Sequence, residues 1–235
     1  MMHLGPLTYR GRPRRRLVIV AMIVALTVLG GGLALGTSVR TADEAAEPDA
    51  FAPGAIISDY NFYNADAMNE REIQSFLADR SCIPRDGSPC LSDYEESTLS
   101  QPDQGAGHCA AYPGSRNESA ARIIAKVSDA CFISPKVLLV LLQKEQSLLT
   151  RPSASGYLRA TGYGCPDTAD CDTQYFGFFN QVYRAAWQFR QYTQQPERPY
   201  KIGTVRVGFN PDASCGATSV TIENQATANL YNYTP

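Results

Sequence analysis

Histidine is nearly absent from this sequence: only His3 and His108 occur, and no Cys-x-x-Cys pair accompanies them. Tetrahedral zinc sites are built from closely spaced Cys/His pairs. Only His108 and Cys109 are adjacent, so no metal is expected, and no other cofactor either. Acidic residues are missing from the first 40 positions, which hold six arginines (Arg10, Arg12, Arg14, Arg15, Arg16 and Arg40). The whole chain has 21 Lys+Arg and 23 Asp+Glu, so a net charge of −2 conceals a basic leader and a remainder near −8. Phosphate backbones draw affinity from Lys/Arg clusters, which excludes nucleic acid as a natural partner of the acidic part. Charge is sparse throughout, at 19% against 44% hydrophobic residues, as in a globular chain rather than a disordered one. No internal repeat is found.

What the leader does hold is an uncharged apolar run over residues 17–29, directly after Arg14-Arg15-Arg16. Extended to Gly36 as a helix it would be about 30 Å long, enough to cross a hydrocarbon core. The flanking arginines keep the N-terminus inside. Gly30-Gly31-Gly32 shortens the apolar part to signal-peptide length, and Ala34-Leu35-Gly36 suits cleavage. Residues 1–40 therefore read as a signal peptide or, uncleaved, a single-span membrane anchor. Residues 41–53, rich in Ala, Asp, Glu and Pro, read as a linker. Residues 54–235 form one domain large enough to bury a core.

All seven cysteines (Cys82, Cys90, Cys109, Cys131, Cys165, Cys171 and Cys215) fall in that exported part, as disulfides outside the cytoplasm would. Local bridges Cys82–Cys90 and Cys165–Cys171 would each close a short loop containing proline, and an odd cysteine is left over.

Asn69 and Glu72 have capping-box spacing ahead of a short helix with Ile73, Phe76 and Leu77 on one face. Ile56, Ile57 and Phe62 before it suggest an extended lead-in. Residues 82–114 read as a stapled loop. Helices are expected over 119–132, from Ser134-Pro135 onward, and over 179–194, where Pro196 ends the last. The Ser134-Pro135 helix is apolar all round over 137–142, which places it mid-core. Segments 201–209 and 218–222 alternate as a hairpin, with a last helix from Glu223. The fold class expected is α+β, mainly α, with a small C-terminal β-hairpin.

Glu145 is the informative residue. On a helical wheel Leu138, Leu141, Leu142, Leu148 and Leu149 lie within about 60° of it. A carboxyl group so surrounded favours its neutral form, as a general acid requires. The same pattern also suits a structural Glu that caps a buried polar group or pairs with Arg159. Downstream, Thr161-Gly162-Tyr163-Gly164-Cys165 and Tyr175-Phe176-Gly177-Phe178-Phe179-Asn180-Gln181 combine glycines with aromatics. Such segments can floor a glycan cleft, or form a turn and a core-packed run.

These two segments, with Leu141-Leu142-Gln143-Lys144-Glu145-Gln146-Ser147, resemble a group of secreted actinobacterial hemagglutinin-like proteins. That group is distantly similar to lysozymes, lytic transglycosylases and glucosaminidases. The resemblance covers residues 51–235 and implies a lysozyme-like helical domain acting on peptidoglycan or another amino-sugar glycan, outside the cell or on its wall. It implies Glu145 as the catalytic acid, Gly177, Phe178, Asn180 and Gln181 along the glycan groove, and Tyr163 and Tyr175 as substrate-orienting groups. Relatives continue past residue 235 with a further cysteine, so Cys215 is expected to be the odd one. The departure from the pattern is the long connection from Glu145 to Gly177, with Cys165 and Cys171 inside it.

In glycosidic cleavage Glu145 would protonate the leaving oxygen. A second carboxylate would come from Asp167, Asp170 or Asp172; without one, Glu145 would serve next as base on the sugar's own hydroxyl, as in a transglycosylase. Rival readings are a glycan-binding adhesin without turnover and a structural wall protein.

Overall fold

The computed structural model describes residues 51–166, 169–210 and 212–233. The leader, most of the linker and Asp167 lie outside the described residues.

Polar caps and breakers set the element boundaries. Helix α1 (Asp59–Phe62) starts at Ser58, whose side chain accepts from the Asn61 N–H. The lead-in is therefore not extended. Four residues are too few to display a helical period, and Phe62 is buried from within this single turn. In α2 (Glu70–Ala78) the capping box forms on both sides: Asn69 accepts from Glu72 N–H, and Glu72 from Asn69 N–H. A two-residue strand β1 (Glu95–Glu96) pairs antiparallel with β2 (Glu118–Ser119). Helix α3 (Ala120–Cys131) then begins on the Ser119 hydroxyl.

Proline occupies the first position of α4 (Pro135–Gln146), where its missing N–H removes no helical bond. The Ser134 hydroxyl does not cap; it is buried and without a hydrogen-bond partner. Nor is α4 buried all round, since Val140 is 66% exposed. Helix α5 (Ala154–Leu158) was not expected; it is capped by Ser153, which accepts from Gly156 N–H. Helix α6 (Phe178–Gln194) is the longest of the described helices, and β3 (Gly203–Gly208) and β4 (Ala217–Ile222) form the expected antiparallel hairpin before α7 (Gln225–Tyr233). The domain is mainly α with one small hairpin, an α+β fold.

The core joins Ile123, Ile124 and Val127 of α3, Leu138 and Leu142 of α4, and Phe178, Val182 and Phe189 of α6. A smaller cluster of Val220, Ile222 and Ala228 seats the hairpin on α7. Chain ends of the domain meet: Glu223 N–H donates to Gly54 O (2.8 Å) and Ala226 N–H to the Asp59 carboxylate (2.7 Å). A side chain at Gly54 would collide with the Thr221 carbonyl, which explains the glycine.

Disulfides Cys82–Cys90 and Cys165–Cys171 are present as expected, and Cys109–Cys131 ties the long loop to the end of α3. Cys215 is the exposed free cysteine. Three disulfides fit an oxidising, extracytoplasmic setting. No helix among the described residues is long and apolar enough to cross a membrane.

The 95–119 loop is held by Glu118, which is only 1% exposed. Its carboxylate accepts from Tyr112 OH (2.7 Å), Thr98 OH and Lys126, with Arg122 at 3.3 Å. Burial alone would raise its pKa; the hydrogen bonds from Lys126, Thr98 and Tyr112 outweigh that and leave it below the ordinary 4.5. A carboxyl with a depressed folded pKa stabilises fully above the unfolded pKa and loses that stabilisation as pH falls through the folded one. Glu118→Gln should therefore cost about 2 kcal/mol at pH 7, less than a sealed ion pair because Lys126 keeps 21% of its side chain in solvent. Urea unfolding at pH 7 and pH 3 checks this: the gap between wild type and variant should shrink in acid.

Candidate active site

Glu145 lies in the last turn of α4, with 20% of its side chain exposed, neither sealed nor free in solvent. Leu138 and Leu142 are fully buried beside it on the helix and Leu141 is 6% exposed, as the wheel predicts. Leu148 and Leu149 are off the wheel. Ser147 adopts the left-handed conformation (φ 56°), and the Leu148 N–H turns back to the Leu142 carbonyl, so the helix stops two residues after Glu145's predecessor. Arg159 does not pair with Glu145. The ion pair is with its sequence neighbour: Lys144 Nζ stands 2.8 Å from Glu145 Oε1.

The other carboxylate oxygen faces the glycine segment. Gly162 has φ +70°, and a Cβ there would lie 3.1 Å from Glu145 Oε2. Glycine is needed both for the backbone angle and for this close approach. Gly164 (φ +71°) is excluded from carrying a side chain in the same way, by the Tyr175 ring 2.6 Å from its would-be Cβ. Gly162→Ala should lower stability by about 1–2 kcal/mol through left-handed strain. It should also displace the Glu145 carboxylate by a few tenths of an ångström, so any turnover should fall by roughly tenfold. Chemical unfolding and rate assays on the same preparation separate the two effects.

Tyr163 and Tyr175 are brought together, edge to face with ring centres 4.8 Å apart. Both are half-buried. Burial, and next the proximity of Tyr175, raise the Tyr163 pKa, and Arg184 partly counters this. Gly177 (φ +106°) opens α6, with space where a side chain would be. Asn180 is half-buried at the first turn of α6 and donates to the Gln174 carbonyl (2.9 Å).

Phe178 and Gln181 depart from their expected place on a groove. Phe178 is fully buried among Tyr94 and Tyr157, as an aromatic run entering a helix toward the core must be. Gln181 is fully buried too. Its Oε1 accepts from the N–H of Thr161 (3.2 Å) and Tyr163 (3.1 Å), and its Nε2 donates to the carbonyls of Tyr163 and Tyr175 (both 2.8 Å). One amide thus clamps both glycine–aromatic segments, and Gln181 is a positioning residue. Tyr233 adds a second clamp from α7, donating to the Thr161 carbonyl (2.9 Å).

Of the proposed second carboxylates, Asp172 is exposed and caps the following turn through the Gln174 N–H, and Asp170 is exposed. Glu96 was not singled out in the sequence. It accepts from Phe179 N–H at the start of α6, and burial raises its pKa despite that bond. The signal it lacked is local, since the partner is 83 residues away.

Two concave surfaces lie elsewhere. A groove of about 920 Å³ runs between α1, α4 and α7, lined by Ile57, Val137, Val140, Leu141, Tyr231 and Tyr233 among others. Glu145 is not among its lining residues, although Leu141, Lys144 and Tyr233 are. A second, of about 710 Å³, lies on the α2 side of Val140. Both are mostly apolar, with Asp66 at the edge of the first and Glu72 at the edge of the second. No group of three or more metal-ligating side chains occurs among the described residues. No protein-family model, curated protein or solved structure matches the chain.

Proposed function

We propose that the domain cleaves the glycan strands of peptidoglycan outside the cytoplasm, exported by its N-terminal segment and acting at or near the wall. The observation that carries this reading is the placement of the Glu145 carboxylate: partly exposed at a helix end, with Oε2 against Gly162 next to the Tyr163–Tyr175 pair. Aromatic faces stack on sugar rings, and bare glycine backbone lets a ligand come close.

In the step that follows from this placement, Glu145 gives its proton to the oxygen of the leaving sugar as positive charge develops on the anomeric carbon. The resulting carboxylate then removes the proton from a hydroxyl of the sugar that bears that anomeric carbon, and the freed oxygen closes on the anomeric carbon to give an anhydro ring. Of the candidate second acids among the described residues, Asp170 and Asp172 are exposed and Asp172 is engaged in its turn, which supports the one-carboxylate route. Full chain incubated with purified wall should release fragments with anhydro-sugar ends, detected by mass spectrometry. Reducing ends instead would replace the intramolecular step by hydrolysis, and intact walls under conditions where a control lysozyme works would defeat the proposal.

A glycan-binding adhesin without turnover is the second reading. The Lys144–Glu145 contact favours it, because one of the two carboxylate oxygens on which turnover would depend is already engaged.

A further inference from the structure

Among the described residues Arg184 has no acidic partner, and its surroundings make that informative. It lies one helical turn after Gln181, on the face of α6 that holds the glycine–aromatic segments. Its guanidinium carbon sits 5.8 Å from the centre of the Tyr175 ring, and Tyr175 in turn meets Tyr163. Its Nε is buried with no hydrogen-bond partner, as is the hydroxyl of neighbouring Tyr183. Among the described residues, the carboxylates that form ion pairs do so with other cations, none with Arg184. A buried Nε with no acceptor is a hydrogen-bond donor that a ligand's carboxylate would satisfy. Its planar fork binds a carboxylate through two parallel N–H bonds.

We propose that Arg184 is a specificity-determining residue, recognising a carboxylate on the glycan beside the Tyr163–Tyr175 pair. This rests on the glycan reading of the same site. It makes the preferred substrate an acidic amino-sugar strand rather than a neutral one. The carboxylate has two sources with one chemistry: the lactyl ether of a peptide-free strand, or the free carboxylates of an attached peptide.

Calorimetric titration of the full chain carrying E145Q, which prevents turnover, separates them. The probes are a peptide-free wall tetrasaccharide, the same with its lactyl carboxylates amidated, a peptide-bearing fragment, its amidated form, and neutral chitotetraose. Amidation should weaken one acidic probe by on the order of tenfold, and that probe identifies the source. The acidic-to-amidated affinity ratio should collapse to about one in Arg184→Gln and recover only in part in Arg184→Lys. A merely structural Arg184 would change all affinities together and leave the ratio intact. Equal binding of acidic and amidated probes by E145Q alone overturns the proposal without any Arg184 variant, while leaving glycan binding standing. No binding of any probe overturns both.

Discussion

Changing Glu145 to Gln should lower the release of glycan fragments from purified wall by about 10²–10⁴-fold, the usual contribution of a positioned proton donor and acceptor. The substitution keeps the shape of the side chain and removes only its ability to carry and return a proton. Structural damage should be small. Glu145 is 20% exposed, and the ion pair it forms is with Lys144, itself 53% exposed, so the lost attraction is a surface one of at most about 1 kcal/mol. The thermal midpoint should accordingly move by no more than about 3 °C. Binding of glycan should persist, since the aromatic pair and the glycine backbone are untouched. The adhesin reading predicts the same persistence but starts from no turnover in the wild type, so the rate assay divides the two.

Gln181→Leu should produce the largest loss of stability, about 4 kcal/mol, from roughly 1 kcal/mol for each of four backbone groups left without their partner. Leucine fills much of the same volume, so cavity formation adds little. The effect should be local before it is global. Hydrogen exchange of the Thr161 and Tyr163 amides should accelerate well below the unfolding midpoint, because Tyr233 still holds the Thr161 carbonyl while nothing replaces the bonds to Tyr163. Turnover should suffer through KM and kcat together, since Tyr163, Tyr175 and Gly162 lose their common anchor. Uniform acceleration of exchange across α3 and α6 would instead mean that Gln181 serves the whole core.

Features written within a few residues of each other were legible in the sequence. The Asn69–Glu72 capping box, Pro135 at a helix start, Pro196 after α6 and the alternation of the hairpin all depend on neighbours along the chain. The short-range disulfides belong to the same class. Short helices α1 and α5 were not legible, because one turn has no period and tertiary packing stabilises it. The end of α4 was missed for a different reason: Ser147 takes a left-handed conformation that usually signals itself by glycine or asparagine.

In the site, the two glycine–aromatic segments were readable from composition and the apolar setting of Glu145 from periodicity, whereas the contact between Tyr163 and Tyr175 was not. The interior position of Gln181 was not readable, while that of Phe178 is the core-packed alternative the aromatic run also allowed. On a helix whose faces are nearly all covered, periodicity cannot tell which covered side chain faces a ligand. Arg184 escaped for a related reason, since what marks it is a buried Nε without a hydrogen-bond partner among the described residues, which only the three-dimensional arrangement shows. Glu118 and Glu96 gained their roles from partners on other elements: Thr98 and Tyr112 for the first, the start of α6 for the second.

Glycan contact at Glu145, rather than in the apolar groove beside α1, is what the account stands on, and hydrogen exchange of the full E145Q chain with and without a wall oligosaccharide tests it directly. Protection should concentrate over residues 160–164 and 175–184. Protection over residues 56–67 and 137–141 with none at the glycine segment, or no protection anywhere at saturating oligosaccharide, would contradict it.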